Sequence, residues 1–222
     1  MFGSALGKGA RRRVTTAVVA LAAGAALVAC GPVKAGAAAI VGDDRITTAE
    51  LDKRVAQWHE AIKGTELEGQ LDQIAAMRVQ RPNEVPDLRL PRDMLNQLIL
   101  FRLADTLAER RGVTISRSET DAYMQKNRST LPRDVLVTPL PPSETQAYVR
   151  FSLISDKFLG PMPQVRSQEE LDAELQKRWQ RLTALLRPIA EDIGVTADPR
   201  YGDFQPSSLR LVETDDRLSR AG

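Results

Sequence analysis

Apolar residues recur along most of the chain at three- and four-residue intervals, the period of amphipathic helices. Leu51, Val55, Trp58 and Ile62 form one such stripe, opened by Thr47 with Glu50 three residues on, the pattern of a capping box. It predicts a helix to about residue 63, ended at Gly64. Leu67, Leu71 and Ile74 predict a second, weaker helix over about 66–78. Three prolines make 81–91 a loop, and Pro91 suits the first turn of the next helix, about 91–111. That segment carries Met94, Leu95, Leu98, Ile99, Leu100, Phe101, Leu103 and Leu107, so it is apolar on most sides and predicted to be the most buried helix. Ser116 with Glu119 opens a short helix to about 127. A proline-rich loop is predicted over 131–142, and Ser143 with Gln146 then caps a helix ending at Leu159 and Gly160. Ser167 with Glu170 opens the last helix, with Leu171, Leu175, Trp179, Leu182, Leu186, Ile189 and Ile193 in a straight stripe to Gly194. Pro188 inside it removes one hydrogen bond and predicts a kink. Strand patterns are confined to the flanks, a strand and turn at 38–46 and a strand at 207–212. Neither stands alone. The expected fold is mainly α, with these two end strands paired, so that 38–212 builds a single domain and 213–222 is a polar tail.

Composition changes the picture at the N-terminus. The chain has 222 residues, 31 Lys+Arg against 29 Asp+Glu, one Cys and one His. Residues 1–29 contain no acid but hold Lys8, Arg11, Arg12 and Arg13, followed by an apolar run over 14–29. A basic region and then an apolar run shorter than the roughly 20 residues of a membrane span is the design of a secretory signal. Val14, Thr15 and Thr16 follow the arginines poorly for twin-arginine export, so general secretion is favoured. Removing 1–29 leaves 27 basic against 29 acidic residues.

The lone Cys excludes an internal disulfide and any multi-Cys zinc site, and the lone His excludes metal sites built on two or three histidines. With charge near balance there is no basic patch for nucleic acid. No Gly-x-Ser-x-Gly elbow occurs, and a two-lobed solute-binding protein needs more strands. The acidic pairs Asp43-Asp44, Glu169-Glu170 and Asp215-Asp216 read as solvated ends rather than metal ligands. We expect no catalysis, metal, cofactor or small-molecule substrate. Trp58, Phe101, Tyr148, Phe151, Phe158 and Trp179 either pack the core or line a groove for a partner. The stretch 198–204 reads as a turn that sets the last strand, with a binding loop as the alternative.

The run Leu27-Val28-Ala29-Cys30-Gly31 resembles the lipobox of bacterial lipoproteins. That resemblance implies that Leu27, Val28 and Ala29 are read by a signal peptidase, that Cys30 receives acyl chains including palmitate and becomes the N-terminus, and that 30–37 is a tether. The protein is then held at the extracytoplasmic face of the cell membrane, since two or more acyl chains anchor stably.

Three further stretches resemble SurA-type and PrsA-type extracytoplasmic chaperones. They are Ala39-Ile40-Val41-Gly42-Asp43-Asp44-Arg45-Ile46-Thr47, then Arg111-Gly112-Val113-Thr114-Ile115-Ser116 with Glu119, then Ile193-Gly194-Val195-Thr196-Ala197-Asp198-Pro199-Arg200-Tyr201-Gly202, with Asp198 where that family usually has Asn. The likeness spans about 38–128 and 165–212. It implies a helical chaperone domain whose N-terminal strand pairs with the C-terminal one. It also implies binding of unfolded or newly exported polypeptides, with Trp58, Phe101, Tyr148, Phe151 and Phe158 as client-binding candidates. The family's parvulin domain is missing, because 128–166 is too short for it. Its paired histidines are missing too, so no isomerase activity is expected. The alternative is a scaffold lipoprotein of the same fold that holds one specific envelope partner.

Overall fold

The caps written in the sequence set the helix starts. The structure, a computed structural model, describes residues 35–81 and 89–213. The expected leader, Cys30, most of the expected tether and the tail beyond Glu213 lie outside the described residues. Helix α1, Thr48–Ile62, begins where the Thr47 hydroxyl accepts from the Glu50 N–H at 3.2 Å and the Glu50 carboxylate accepts from the Thr47 N–H at 3.0 Å. Helix α2 is Glu66–Gln80 and α3 is Leu90–Arg110, with Pro91 in its first turn. Ser116 and Glu119 repeat the reciprocal cap before α4, Arg117–Lys126.

The stretch expected to be a proline-rich loop contains a helix, α5, Leu131–Val137. Its one proline, Pro132, sits in the first turn, where no N–H is needed, and the others follow the last turn. Leu131 and Val135, four residues apart, turn one face inward. The expected Ser143 cap is not formed. Pro142–Glu144 makes a 3-10 turn, α6 (Thr145–Leu159) starts directly after it, and the Ser143 hydroxyl bonds Gln57 of α1 at 3.1 Å. Helix α7, Gln168–Ile193, takes half a box: the Ser167 hydroxyl accepts from the Glu170 N–H, while the Glu170 carboxylate accepts from the Arg166 N–H. It remains helical through Pro188. The carbonyl that loses its partner belongs to exposed Ala184, where water can satisfy it.

The fold is mainly α, with two small antiparallel sheets. Strands β1 (Ala37–Val41) and β2 (Asp44–Thr47) form a hairpin around Gly42, whose φ of +59° suits glycine. The predicted pairing of the N-terminal strand with 207–212 is corrected. Its partner is β3, Val195–Ala197, giving the order β2-β1-β3. The reason is local. Gly194 ends α7 in a left-handed turn and sends the chain straight along β1, with Gly42 N–H donating to the Gly194 carbonyl and Asp198 N–H to the Ala38 carbonyl, both at 2.9 Å. Residues 198–204 form the turn expected of them: the Asp198 carboxylate caps the 3-10 turn Pro199–Tyr201 and pairs with Arg200. Strands β4 (Asp203–Gln205) and β5 (Arg210–Val212) then make their own hairpin. At Gly202 a Cβ would fall 2.1 Å from the Val212 carbonyl oxygen, so only glycine lets the strands meet.

Helix α3 is the centre. Ten of its residues are buried, and α1, α6, α7, β1 and β5 pack on it. Asn96 fixes β5 to it by accepting the Leu211 N–H at 2.8 Å. Between α4 and α6, Lys157 reaches Glu119 at 2.6 Å. This contact and the Ser116 cap hold the Glu119 carboxyl down at about 2, and the Thr47 N–H and hydroxyl similarly lower Glu50. Asp156 is shifted the other way, because its burial outweighs the attraction of Arg178.

A depressed carboxylate stabilises the fold above its unfolded value, about 4.3, and that contribution is lost as pH falls through the folded value. Stability should therefore decline between about pH 4.3 and about pH 2, with Asp156 opposing the trend. In urea titrations across this range, Glu119→Gln should be less stable than the parent at pH 6 and show a shallower acid decline. An unchanged acid decline would mean that Glu119 is not held low.

Candidate functional site

The aromatic candidates pack in or against the core, and two of them floor a cleft. Trp58 on α1 is only 5% exposed. Its ring meets His59 edge-on, with centroids 5.4 Å apart, and its indole N–H donates to the Leu136 carbonyl at 2.8 Å. That carbonyl lies in the last turn of α5, where no intrahelical donor remains, so Trp58 both fills space and closes the helix end. Phe101 of α3 is also buried and meets Phe151 of α6, ring centroids 5.2 Å apart. Tyr148 and Phe158 of α6 are half-buried against the core. Burial pushes the Tyr148 phenol up. In this conformation Trp58 and Phe101 offer almost no surface to a partner, because the inward stripes of α1 and α3 carry them. Leu27, Val28, Ala29 and Cys30 lie outside the described residues.

Phe101 and Phe151, with Leu98 and Ala147, floor a cleft of about 230 Å³ between α1, α3 and α6. Its rim is charged. Arg54 pairs with Glu144 at 2.7 Å and Arg150 with Asp105 at 2.6 Å, and Arg102 also lines the cleft. The Arg54–Glu144 pair is largely shielded, so opening the cleft means breaking ion pairs that are partly desolvated.

The second surface has the opposite character. A groove of about 230 Å³ between α2 and α5 is lined mainly by apolar atoms of Leu67, Leu136 and Val137, with Thr65, Gln70 and Arg133 at its edges. Helix α2 buries no residue at all. Leu67, Leu71 and Ile74 are half-buried, and Met77 and Val79 are 49% and 85% exposed. Val137 across the groove is 58% exposed. Helical spacing carries Met77 on along the side of α2 that bears Gln70 and faces the groove. Such a surface can take up aliphatic or aromatic side chains. It presents no nucleophile with a neighbouring base. His59 is exposed on α1 and engaged with Trp58. Among the described residues no cluster of three or more His, Cys, Asp or Glu could hold a metal ion, and no helix is long and apolar enough to cross a membrane.

The groove residues Leu136 and Val137 are ones that sequence reasoning missed, since 131–142 read as loop. The signal available was the four-residue step from Leu131 to Val135, free of proline in between except at the first turn.

Compared with known protein families, with curated proteins and with solved structures, the chain matches none.

Trp58 ties the groove's α5 wall to α1. Trp58→Phe keeps most of the ring and removes the donor to Leu136. It should cost about 1 kcal/mol in urea unfolding and speed amide exchange in α5 ahead of α3. Equal exchange in both helices would show that the indole bond does not hold this wall.

Proposed function

We propose that this protein is a lipid-anchored, extracytoplasmic chaperone-like protein that binds unfolded or newly exported polypeptides, without isomerase activity, in the groove between α2 and α5. The observation that carries the reading is helix α2. It presents five large apolar side chains and buries none of them fully, and across the groove stands a further exposed apolar residue, Val137. Large apolar side chains left this open are uncommon on a protein with no partner for them. Its side chains are aliphatic or thioether, flexible enough to repack around different sequences. Such binding is weak and sequence-tolerant, and it needs neither ATP nor cofactor. The likeness of the chain's end segments to SurA-type and PrsA-type chaperones and the basic-then-apolar leader ending at Cys30 support the same reading.

The Phe101–Phe151 cleft favours a second, narrower reading. Its fixed ion pairs suit one matching segment better than many, as expected of a scaffold lipoprotein with a single envelope partner. Capture of one stoichiometric partner that is lost on Phe151→Ala would favour this second reading over the first.

The anchor has its own test. Cys30→Ala should abolish incorporation of labelled palmitate, and the wild-type mature chain should begin at an acylated Cys30 by mass spectrometry. A mature chain beginning elsewhere would remove the anchor from the proposal.

For client binding, the chain from Cys30 onward should slow aggregation of a chemically unfolded client at a few-fold molar excess. Met77→Asp with Val137→Asp changes only exposed positions. The double variant should need at least about fivefold more protein for equal protection, the equivalent of roughly 1 kcal/mol of lost apolar burial. Absence of protection by the wild type would sink the chaperone reading, and full protection by the double variant would move it away from this groove.

A further inference from the structure

Two helices bring the same combination of side chains to the cleft over Phe101 and Phe151. Leu98, Phe101, Arg102 and Asp105 lie at three- and four-residue steps on one face of α3, and Ala147, Arg150 and Phe151 do the same on α6. Each face is part apolar floor and part charged rim. Leu98 and Phe101 are buried, so half-buried Phe151 and Ala147 are the open part of the floor. At about 230 Å³ the cleft is smaller than the roughly 300–1,000 Å³ of a drug-sized ligand site, and it has room for one side chain and little more.

The charges that line the cleft do not cancel. They are the guanidiniums of Arg54, Arg102 and Arg150 against the carboxylates of Asp105 and Glu144. Arg54 and Glu144 form the shielded pair, with side chains 24% and 15% exposed, while Arg150 and Asp105 are 43% and 38% exposed and separate at lower cost. Arg102 is held loosely: its ion pair with Asp44 is 3.8 Å long and lies in solvent.

We propose that this cleft binds the carboxy-terminal residue of a polypeptide that ends in an apolar side chain. The side chain lies on Phe151, and the terminal carboxylate accepts from Arg102 and Arg150. Asp105 turns out to water as Arg150 leaves it, so the rim's own acid keeps the site closed until a better-placed carboxylate arrives. The planar guanidinium fork matches a carboxylate, and one added negative charge balances the three cations against the two anions of the lining. A chain end is selected over an internal stretch by the rim. An internal stretch must pass both ion pairs, whereas an end needs one opening, which the looser pair supplies. The Arg54–Glu144 pair stays intact, and no shielded charge is stranded. The inference rests on the narrower reading above, in which this cleft receives a single partner, and names the part of that partner that enters.

The test is fluorescence anisotropy of the full chain in a non-ionic detergent with a labelled glycine-serine peptide that ends in leucine. The same peptide with its end amidated, and the same peptide ending in serine, are the comparisons. The leucine acid should bind at least about tenfold more tightly than the amide, the equivalent of one charged hydrogen bond, and more tightly than the serine acid. Arg102→Gln should abolish the preference for acid over amide. Asp105→Asn should tighten binding of the acid several-fold, because it removes the rim's own competitor for Arg150, and a merely structural Asp105 would not have that effect. Circular dichroism checks that each variant keeps wild-type helix content. Equal binding of acid and amide, or binding of neither, would overturn the proposal, and so would a weaker acid complex in the folded Asp105→Asn variant. Capture of a single partner that is lost in Phe151→Ala but kept in Arg102→Gln would overturn the chain-end proposal and leave the narrower reading standing.

Discussion

Helix α3 is apolar on nearly every side, and water is a poor neighbour for such a helix. Ten buried residues on one 21-residue segment oblige the chain to wrap it. Each fully buried leucine among them is worth about 1.5–3 kcal/mol, so the arrangement of the other elements is first of all the arrangement that covers α3. Helices α1, α6 and the second half of α7 lie along it, β1 crosses it, and β5 is bonded to it through Asn96. The covering elements come from both ends of the sequence. The small β2-β1-β3 sheet joins those ends, with α7 and Gly194 delivering β3 directly onto β1.

Among the helices that take little part in that covering, α2 and the first half of α7 carry exposed apolar side chains. Helix α2 buries nothing fully, and neither does the first half of α7. Their differences lie in what flanks the apolar residues. Alongside α2 stands the α5 wall, held by the bond between Trp58 and the Leu136 carbonyl, and together they make a mainly apolar groove. Along the first half of α7 an acidic block is followed by a basic one. The charged cleft over Phe101 and Phe151 differs from both, since its rim must be unpaired before anything enters.

Much of the helical skeleton was legible. The capping boxes at Thr47 and Ser116 form as written, and α3 is the buried helix its composition demands. These features depend on residues within a turn or two of one another. Helix α5 was hidden because proline content was read without regard to position, although a proline in the first turn costs a helix nothing. The Ser143 cap failed because its hydroxyl found Gln57, which lies on another helix.

What the sequence determined by itself was therefore local: which segments are helical, where most of them start and stop, and that a basic and then apolar stretch precedes the only cysteine. Only the tertiary structure decided which strand β1 takes as partner, which aromatics are consumed by the core, and which apolar faces remain open. Trp58 and Phe101 look the same in the sequence as residues that line a groove. Their fate depends on what packs across from them, and that is supplied by Leu136 and Phe151, 78 residues away in one case and on a separate helix in the other. Spacing along one helix reports which residues share a face. It carries no information on whether a second element arrives to cover that face, because that contact is between distant parts of the chain.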